Sequence, residues 1–160
     1  MGDSAENTAA ERISREVLSG SAPLATYVGV SPSELAGMAA FGHDLWRQGR
    51  PGDAAKIFLG LIALDEKTYY GHAGMGLVAM SKGDLDSAER HLKRALALEA
   101  SDRVVAINLG EVLLRKGEIE TAISVIRSAA GPDGAPNDSG AVRARAILAA
   151  LGRGIDPRST

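Results

Sequence analysis

The chain has no cysteine. Disulfide staples and thiolate chemistry are therefore excluded, and any zinc would have to be held by histidine and carboxylate alone. Aromatic residues are scarce, at 4% against 45% hydrophobic overall. The apolar content is mostly Ala, Leu, Val and Ile, which suits packed helices better than a β-sandwich. An excess of either charge is also missing: the net charge is −2 and the pI about 5.9. Without a basic excess to neutralise a phosphate backbone, nucleic acid is a poor partner. No run approaches the roughly 20 apolar residues that span a bilayer. The opening MGDSAENTAAER lacks the basic start and apolar stretch of a signal peptide, so the expected location is cytoplasmic. What is present is ordinary for a folded protein: 160 residues, 24% of them charged, enough for one domain with a real core.

The strongest positive signal is a repeat. Gly42, Gly76 and Gly110 stand 34 residues apart, as do Gly49, Gly83 and Gly117, and as do Ala54, Ala88 and Ala122. Such a period marks stacked supersecondary units. The second glycine set follows helix-forming stretches ending in Arg47-Gln48, Lys82 and Lys116. A glycine just past a helix end takes the left-handed conformation cheaply, and cations in the last turn favour the helix dipole. Pro51, Asp84 and Glu118 then help the next helix to start. The first glycine set falls in mid-helix, where glycine costs about 1 kcal/mol against alanine. Three such costs in register imply that a second helix crosses closely there, with the alanine set expected to supply the matching small surface.

Apolar residues follow the helical period, as in Leu85, Ala88, Leu92, Ala95 and Leu98. Ser31-Pro32-Ser33-Glu34 is a capping box with proline at the first helical position. The spacing predicts helices over 32–48, 51–64, 68–82, 85–99, 102–116 and 119–129, with a further short one near 8–19. Residues 131–140 read as a Gly/Pro loop and residues 141–152 as an amphipathic helix, placed to cap the exposed end of the stack. The expected organisation is a flexible N-terminus over 1–30, repeats over 31–130, the loop, the capping helix, and a loose tail over 153–160.

The pattern resembles the tetratricopeptide repeat (TPR). That family has small residues at the eighth and twentieth positions and an aromatic or large apolar residue at the twenty-fourth. Numbering from Leu35, Tyr69 and Arg103 puts the mid-helix glycines at position eight, the alanines at twenty, and Phe58, Leu92 and Ile126 at twenty-four. The frequent proline at thirty-two is replaced by Glu66 and Ala100. The resemblance implies an all-α fold, a right-handed α-solenoid of three TPR helix pairs with a C-terminal capping helix. More narrowly, Leu45-Trp46-Arg47-Gln48-Gly49-Arg50, Lys56 to Asp65, and Leu113 to Ala122 are similar to the type III secretion chaperones that guard translocator proteins. That likeness implies a client protein bound by its apolar segment, and a homodimer formed with help from Ile13, Val17, Leu18, Tyr27 and Val28.

In the TPR family the first helix of each pair lines the concave face through positions two, five, nine, twelve and thirteen. Carried over, the implied groove is Ala36, Ala39, His43, Trp46 and Arg47; then Tyr70, Ala73, Leu77, Met80 and Ser81; then Val104, Ile107, Glu111, Leu114 and Arg115, with Asn108 beside them. The lining is mostly apolar and suits an extended or helical apolar segment, with Met80 able to adapt its shape. It lacks the lysines and asparagines that would clamp a C-terminal carboxylate. A general TPR scaffold or adaptor in a signalling or envelope-assembly complex is the alternative.

Chemistry finds little support. Gly71-His72-Ala73-Gly74-Met75-Gly76 resembles a phosphate loop, but no strand precedes it and no Gly-Lys-Ser/Thr follows. His43, His72 and His91 fall on different faces of the repeat frame, so no metal site is expected. No serine, histidine and acid are placed for nucleophilic catalysis. The expectation is a binding protein without cofactor or enzymatic activity.

Overall fold

The protein's computed structural model describes residues 11–131, apart from 13, 17, 20 and 21, and residues 139–155, the last three by backbone alone. Helix starts have local causes. At Ser31 the hydroxyl accepts from the Glu34 amide at 3.3 Å, and the Glu34 carboxylate accepts from the Ser31 amide at 2.8 Å. Asp84 and Asp102 accept from the amides of Ser87 and Val105 at 3.0 and 2.9 Å. Each satisfies donors that a helix N-terminus otherwise leaves open. These bonds hold the Glu34 and Asp84 carboxyls below their usual range. Glu118 makes no such cap bond.

The helices are α1 (Leu24–Val28), α2 (Pro32–Arg47), α3 (Pro51–Leu64), α4 (Tyr69–Lys82), α5 (Leu85–Leu98), α6 (Arg103–Lys116), α7 (Ile119–Ala130) and α8 (Ser139–Ile155). Residues 11–12, 14–16 and 18 are also helical, and no strand occurs among the described residues. None of the described helices is long and apolar enough to cross a membrane. The turn glycines Gly49, Gly83 and Gly117 have φ of 75°, 76° and 82°, the left-handed conformation the repeat requires of them.

Two compact units, Met1–Gly71 and His72–Thr160, divide the chain within α4. In the first, α2 packs on α3 and α1 touches α3. Ala54, Phe58 and Leu61 are buried, with Ala39 and Leu45. The Tyr27 hydroxyl donates to the Glu16 carboxylate, tying the N-terminal turns to α1. That bond, ahead of burial, raises the Tyr27 pKa. In the second unit α5, α6, α7 and α8 pack in succession, and α8 also lies against α6. Ala88, Leu92 and Ala95, then Ala122, Ile126 and Ala129, repeat the buried triplet of α3 at the same spacing.

The mid-helix glycines are indeed contact points, but the partner differs from the expectation. A Cβ on Gly110 would lie 2.2 Å from Cγ1 of Ile126 and 2.7 Å from its Cδ1. On Gly76 it would meet Leu92 at 2.6 Å, and on Gly42 it would meet Phe58 at 2.9 Å. The large residue at position twenty-four therefore fills the hole at position eight. The alanine at position twenty allows the approach, with the Ala122 carbonyl 3.6 Å from the Gly110 position.

Across the second unit, Lys116 Nζ reaches Asp86 at 2.7 Å and Glu89 at 2.6 Å, linking the end of α6 to α5. Its pKa is raised by these two carboxylates, and Glu89 is held low by Lys116 and Lys93.

Two boundaries depart from the sequence reading. The segment before Ser31 contains α1, started after Pro23 and ended by Gly29 at φ 73°. The capping helix begins at Ser139 and runs to Ile155, beyond 141–152 at both ends. Its position follows the repeat: Ala144 stands 34 residues beyond Gly110 and is fully buried. The N-terminal residues 1–10, most of the 131–140 loop and residues 156–160 lie outside the described residues.

Candidate binding surface

The residues named for binding sit on α2, α4 and α6, the first helix of each pair, where a step of three or four residues keeps those of each helix on one stripe of that helix. On α2, His43 and Arg47 are exposed, Ala36 and Trp46 are half-buried, and Ala39 is buried. The His43 and Trp46 rings meet with centroids 5.5 Å apart, and Arg47 lies 3.5 Å from the exposed Asp44. At the start of α4, Tyr70 is 47% exposed and stands edge-on to Tyr69 at 5.4 Å. Further along the same helix Ala73, Leu77 and Met80 are half-buried. The Ser81 hydroxyl folds back to the carbonyls of Leu77 and Val78 at 3.0 and 2.9 Å.

On α6 the arrangement differs from the expectation. Ile107 is 0% exposed and Asn108 is also buried, so neither offers a surface to a partner. The cause is α8. Ile107 shares a buried cluster with Ala106, Ile126, Ala129, Ala130 and Ala144, and Leu114, Ile147 and Leu148 pack against it. Glu111 accepts from Arg143 of α8. Val104 and Arg115 are the exposed members of this row.

The N-terminal residues named for self-association divide. Leu18 and Val28 are exposed, Tyr27 is half-buried and bonded to Glu16, and Ile13 and Val17 lie outside the described residues. Phe41 of α2 is 58% exposed, a large apolar side chain that sequence reasoning did not single out. Its signal was its position seven, beside the mid-helix glycine and outside the groove set.

The histidines correct another expectation. His72 and His91 are brought together, one Nδ1 donating to the other at 3.2 Å between α4 and α5. The chain of glycines around His72 lies within α4, with no strand before it. Among the described residues no cluster of three metal-ligating side chains occurs. Burial, then the neighbouring His72, then Arg90 hold His91 below the ordinary imidazole pKa, with Asp84 opposing. A native state that resists protonation loses stability as pH falls below the unfolded value of about 6.5, and the contribution is complete above it. Unfolding followed by circular dichroism should show a lower midpoint at pH 5.5 than at pH 7.5. His91→Gln should reduce that difference; an unchanged difference would assign it to other groups.

The sequence profile described as tetratricopeptide repeat matches residues 39–103 and again 73–139. Among curated protein sequences none matches the chain. Among solved structures, the Yersinia enterocolitica type III secretion translocator chaperone SycD matches with a TM-score of 0.72 at 21% identity, over 81% of this chain and 98% of that one. PcrH in complex with the chaperone binding region of PopD matches with a TM-score of 0.70 at 26% identity, over 80% and 98%. PcrH from Pseudomonas aeruginosa alone gives 0.67 at 26%, over 76% and 94%. The fold is thus the all-α solenoid of TPR helix pairs with a C-terminal helix on the last pair.

Proposed function

The chain belongs to the tetratricopeptide-repeat family, and from that premise we propose that it is a chaperone holding an apolar segment of a client protein, of the translocator-guarding kind found in type III secretion. The observation that carries this reading is the likeness, at 26% identity and over nearly the full length of the other chain, to PcrH bound to the chaperone binding region of PopD. The physical support is the half-exposed apolar stripe of α4, Tyr70, Ala73, Leu77 and Met80. A stripe of this spacing is what an apolar segment needs from a helical partner, with the aromatic as anchor. On α2 of the first unit His43, Trp46 and Arg47 are candidates by the repeat register, and on α6 of the second unit Val104 is the exposed apolar member of the row.

The proposal assigns no catalysis and no cofactor, and it places the protein in the cytoplasm, where a client is held before export. Self-association through the N-terminal region is part of it, with Leu18, Leu24 and Val28 as exposed apolar side chains there. Light scattering at micromolar concentrations should then give twice the mass of 16.6 kDa; a constant monomer mass would remove the dimer.

The test of function is capture from the native host. The tagged chain should retain a secreted or membrane-inserting protein through one apolar segment, and that segment as a synthetic peptide should compete. Retention of soluble signalling proteins alone, with no peptide competition, would point to a general scaffold.

A further inference from the structure

The second unit already holds a helix in a seat, and the seat and its occupant are unequal. The seat is formed by α6 and α7, locked together where Ile126 fills the hole at Gly110, and it presents the buried Ile107, Ala129 and Ala130. Beside these, Leu114 adds apolar surface and Glu111 adds a carboxylate. The occupant, α8, buries mainly the small side chains Ala141 and Ala144, while its larger Ile147 and Leu148 remain half-buried. Gly152 falls within it, where glycine favours the helix less than alanine would. Among its polar ties are the pair from the exposed Arg143 to Glu111, and a 3.3 Å bond from Arg145 to the Ala130 carbonyl. Ion pairs at this exposure contribute little. An element with few large buried contacts opens at lower free energy than the core beneath it.

We propose that this seat is a helix-docking surface which exchanges α8 for a partner helix of the same chemistry. The partner carries a basic residue followed by apolar residues one, four and five positions later, the pattern of Arg143, Ala144, Ile147 and Leu148. The apolar residues replace those of α8 on Ile107, Leu114 and Ala129, and the base pairs with Glu111. A helix bearing an acid at the first of these positions is disfavoured, because two carboxylates would then face each other. The proposal rests on the client-binding reading only for which protein supplies such a helix; the seat itself is tested with the chain's own sequence.

The probe is a fluorescein-labelled synthetic peptide of residues 139–155, titrated with the full chain and read by fluorescence anisotropy. In Arg143→Glu the resident helix faces Glu111 with like charge, so the labelled peptide, which keeps its arginine, should bind a few-fold more tightly than to wild type. In Arg143→Glu with Glu111→Arg the resident pair is restored in reverse and the peptide meets a like charge, so binding should return to the wild-type level or below. Leu148→Ala loosens α8 without altering charge and should also raise peptide affinity, which guards against a folding defect in the charge variants. Hydrogen exchange of the α8 amides is followed in parallel. Open α8 amides in Arg143→Glu without tighter peptide binding would overturn the docking surface. Amides as protected as in wild type in both Arg143→Glu and Leu148→Ala would overturn the weak occupancy on which it depends. Failure of client capture with peptide exchange intact would instead remove the proposed function and leave the seat standing.

Discussion

Ile126→Ala is expected to destabilise the second unit by about 2–5 kcal/mol, the range for truncating a fully buried aliphatic side chain in a helix-packed core. Ile126 has 0% exposure and lies in the cluster that joins α6, α7 and α8. Its truncation leaves a cavity against Gly110, where no side chain exists to collapse into it. The complementary change, Gly110→Ala, places a methyl 2.2 Å from Cγ1 of Ile126. That atom is close to the α7 backbone and cannot swing away like the end of a long side chain. Overpacking of this kind costs about 1–3 kcal/mol, against about 1 kcal/mol returned by the better helix propensity of alanine. The double variant should be less damaged than the sum of the singles, because the new methyl enters the space that Ile126 vacated. Urea unfolding of the four proteins measures the coupling as a double-mutant cycle. Additive effects would mean that Gly110 and Ile126 do not meet as described. Gly42→Ala should cost less than Gly110→Ala, since there the contact is the outer edge of the Phe58 ring at 2.9 Å.

The same pair shows how much could be read in advance. Three glycines recurring in mid-helix are unfavourable one by one and make sense only if another helix comes close, so the close crossing was legible in the sequence. Which side chain enters the hole was not. The alanines at position twenty looked like its match because small faces small, whereas dense packing requires that a large side chain fill a gap. Phe58, Leu92 and Ile126 were named only for the apolar period and the family pattern. The helix starts at Ser31 and Asp84 were also legible, because both act through bonds within three residues, whereas Asp102 was not singled out and Glu118, which was, makes no cap bond. α1 escaped since it is a single turn and a half with no apolar period, although Pro23 before it and Gly29 after it are the residues that bracket such a helix.

The binding rows were legible only as far as each helix keeps its own face. The register gives the stripe on α6, but it does not say that α8 returns to cover it. Arg143 and Glu111 are 32 residues apart in the chain, and nothing local pairs them. The one advance sign was Ala144, which continues the 34-residue spacing of the glycines and marks α8 as a first helix in register. The histidine pair escaped for the same reason. His72 and His91 belong to different helices, and their meeting depends on how α4 rotates against α5 around Gly76.

Tyr70→Glu combined with Leu77→Glu is expected to weaken client binding by at least about 100-fold, equivalent to about 2.7 kcal/mol. Both residues lie on α4, seven positions apart, which returns them to one stripe after two turns. Tyr70 is the exposed aromatic of that stripe, and anchors of this type dominate binding energy when a partner covers them. An apolar client segment pressed on a carboxylate must desolvate it without a compensating donor, a cost that does not arise in the free chain, where Tyr70 is half exposed to water. Tyr70→Glu alone should therefore lower affinity while leaving the thermal midpoint within a few degrees of wild type. Leu77 is half-buried, so the double variant is compared with Leu77→Ala to separate lost fold from lost binding. Helicity by circular dichroism should be retained in all of them. Titration of the captured client's apolar peptide by calorimetry gives the affinities. Undiminished affinity in a folded double variant would take the site off α4, and the remaining candidates would be the exposed apolar side chains of the first unit, Leu18, Leu24, Val28, Phe41 and Leu59.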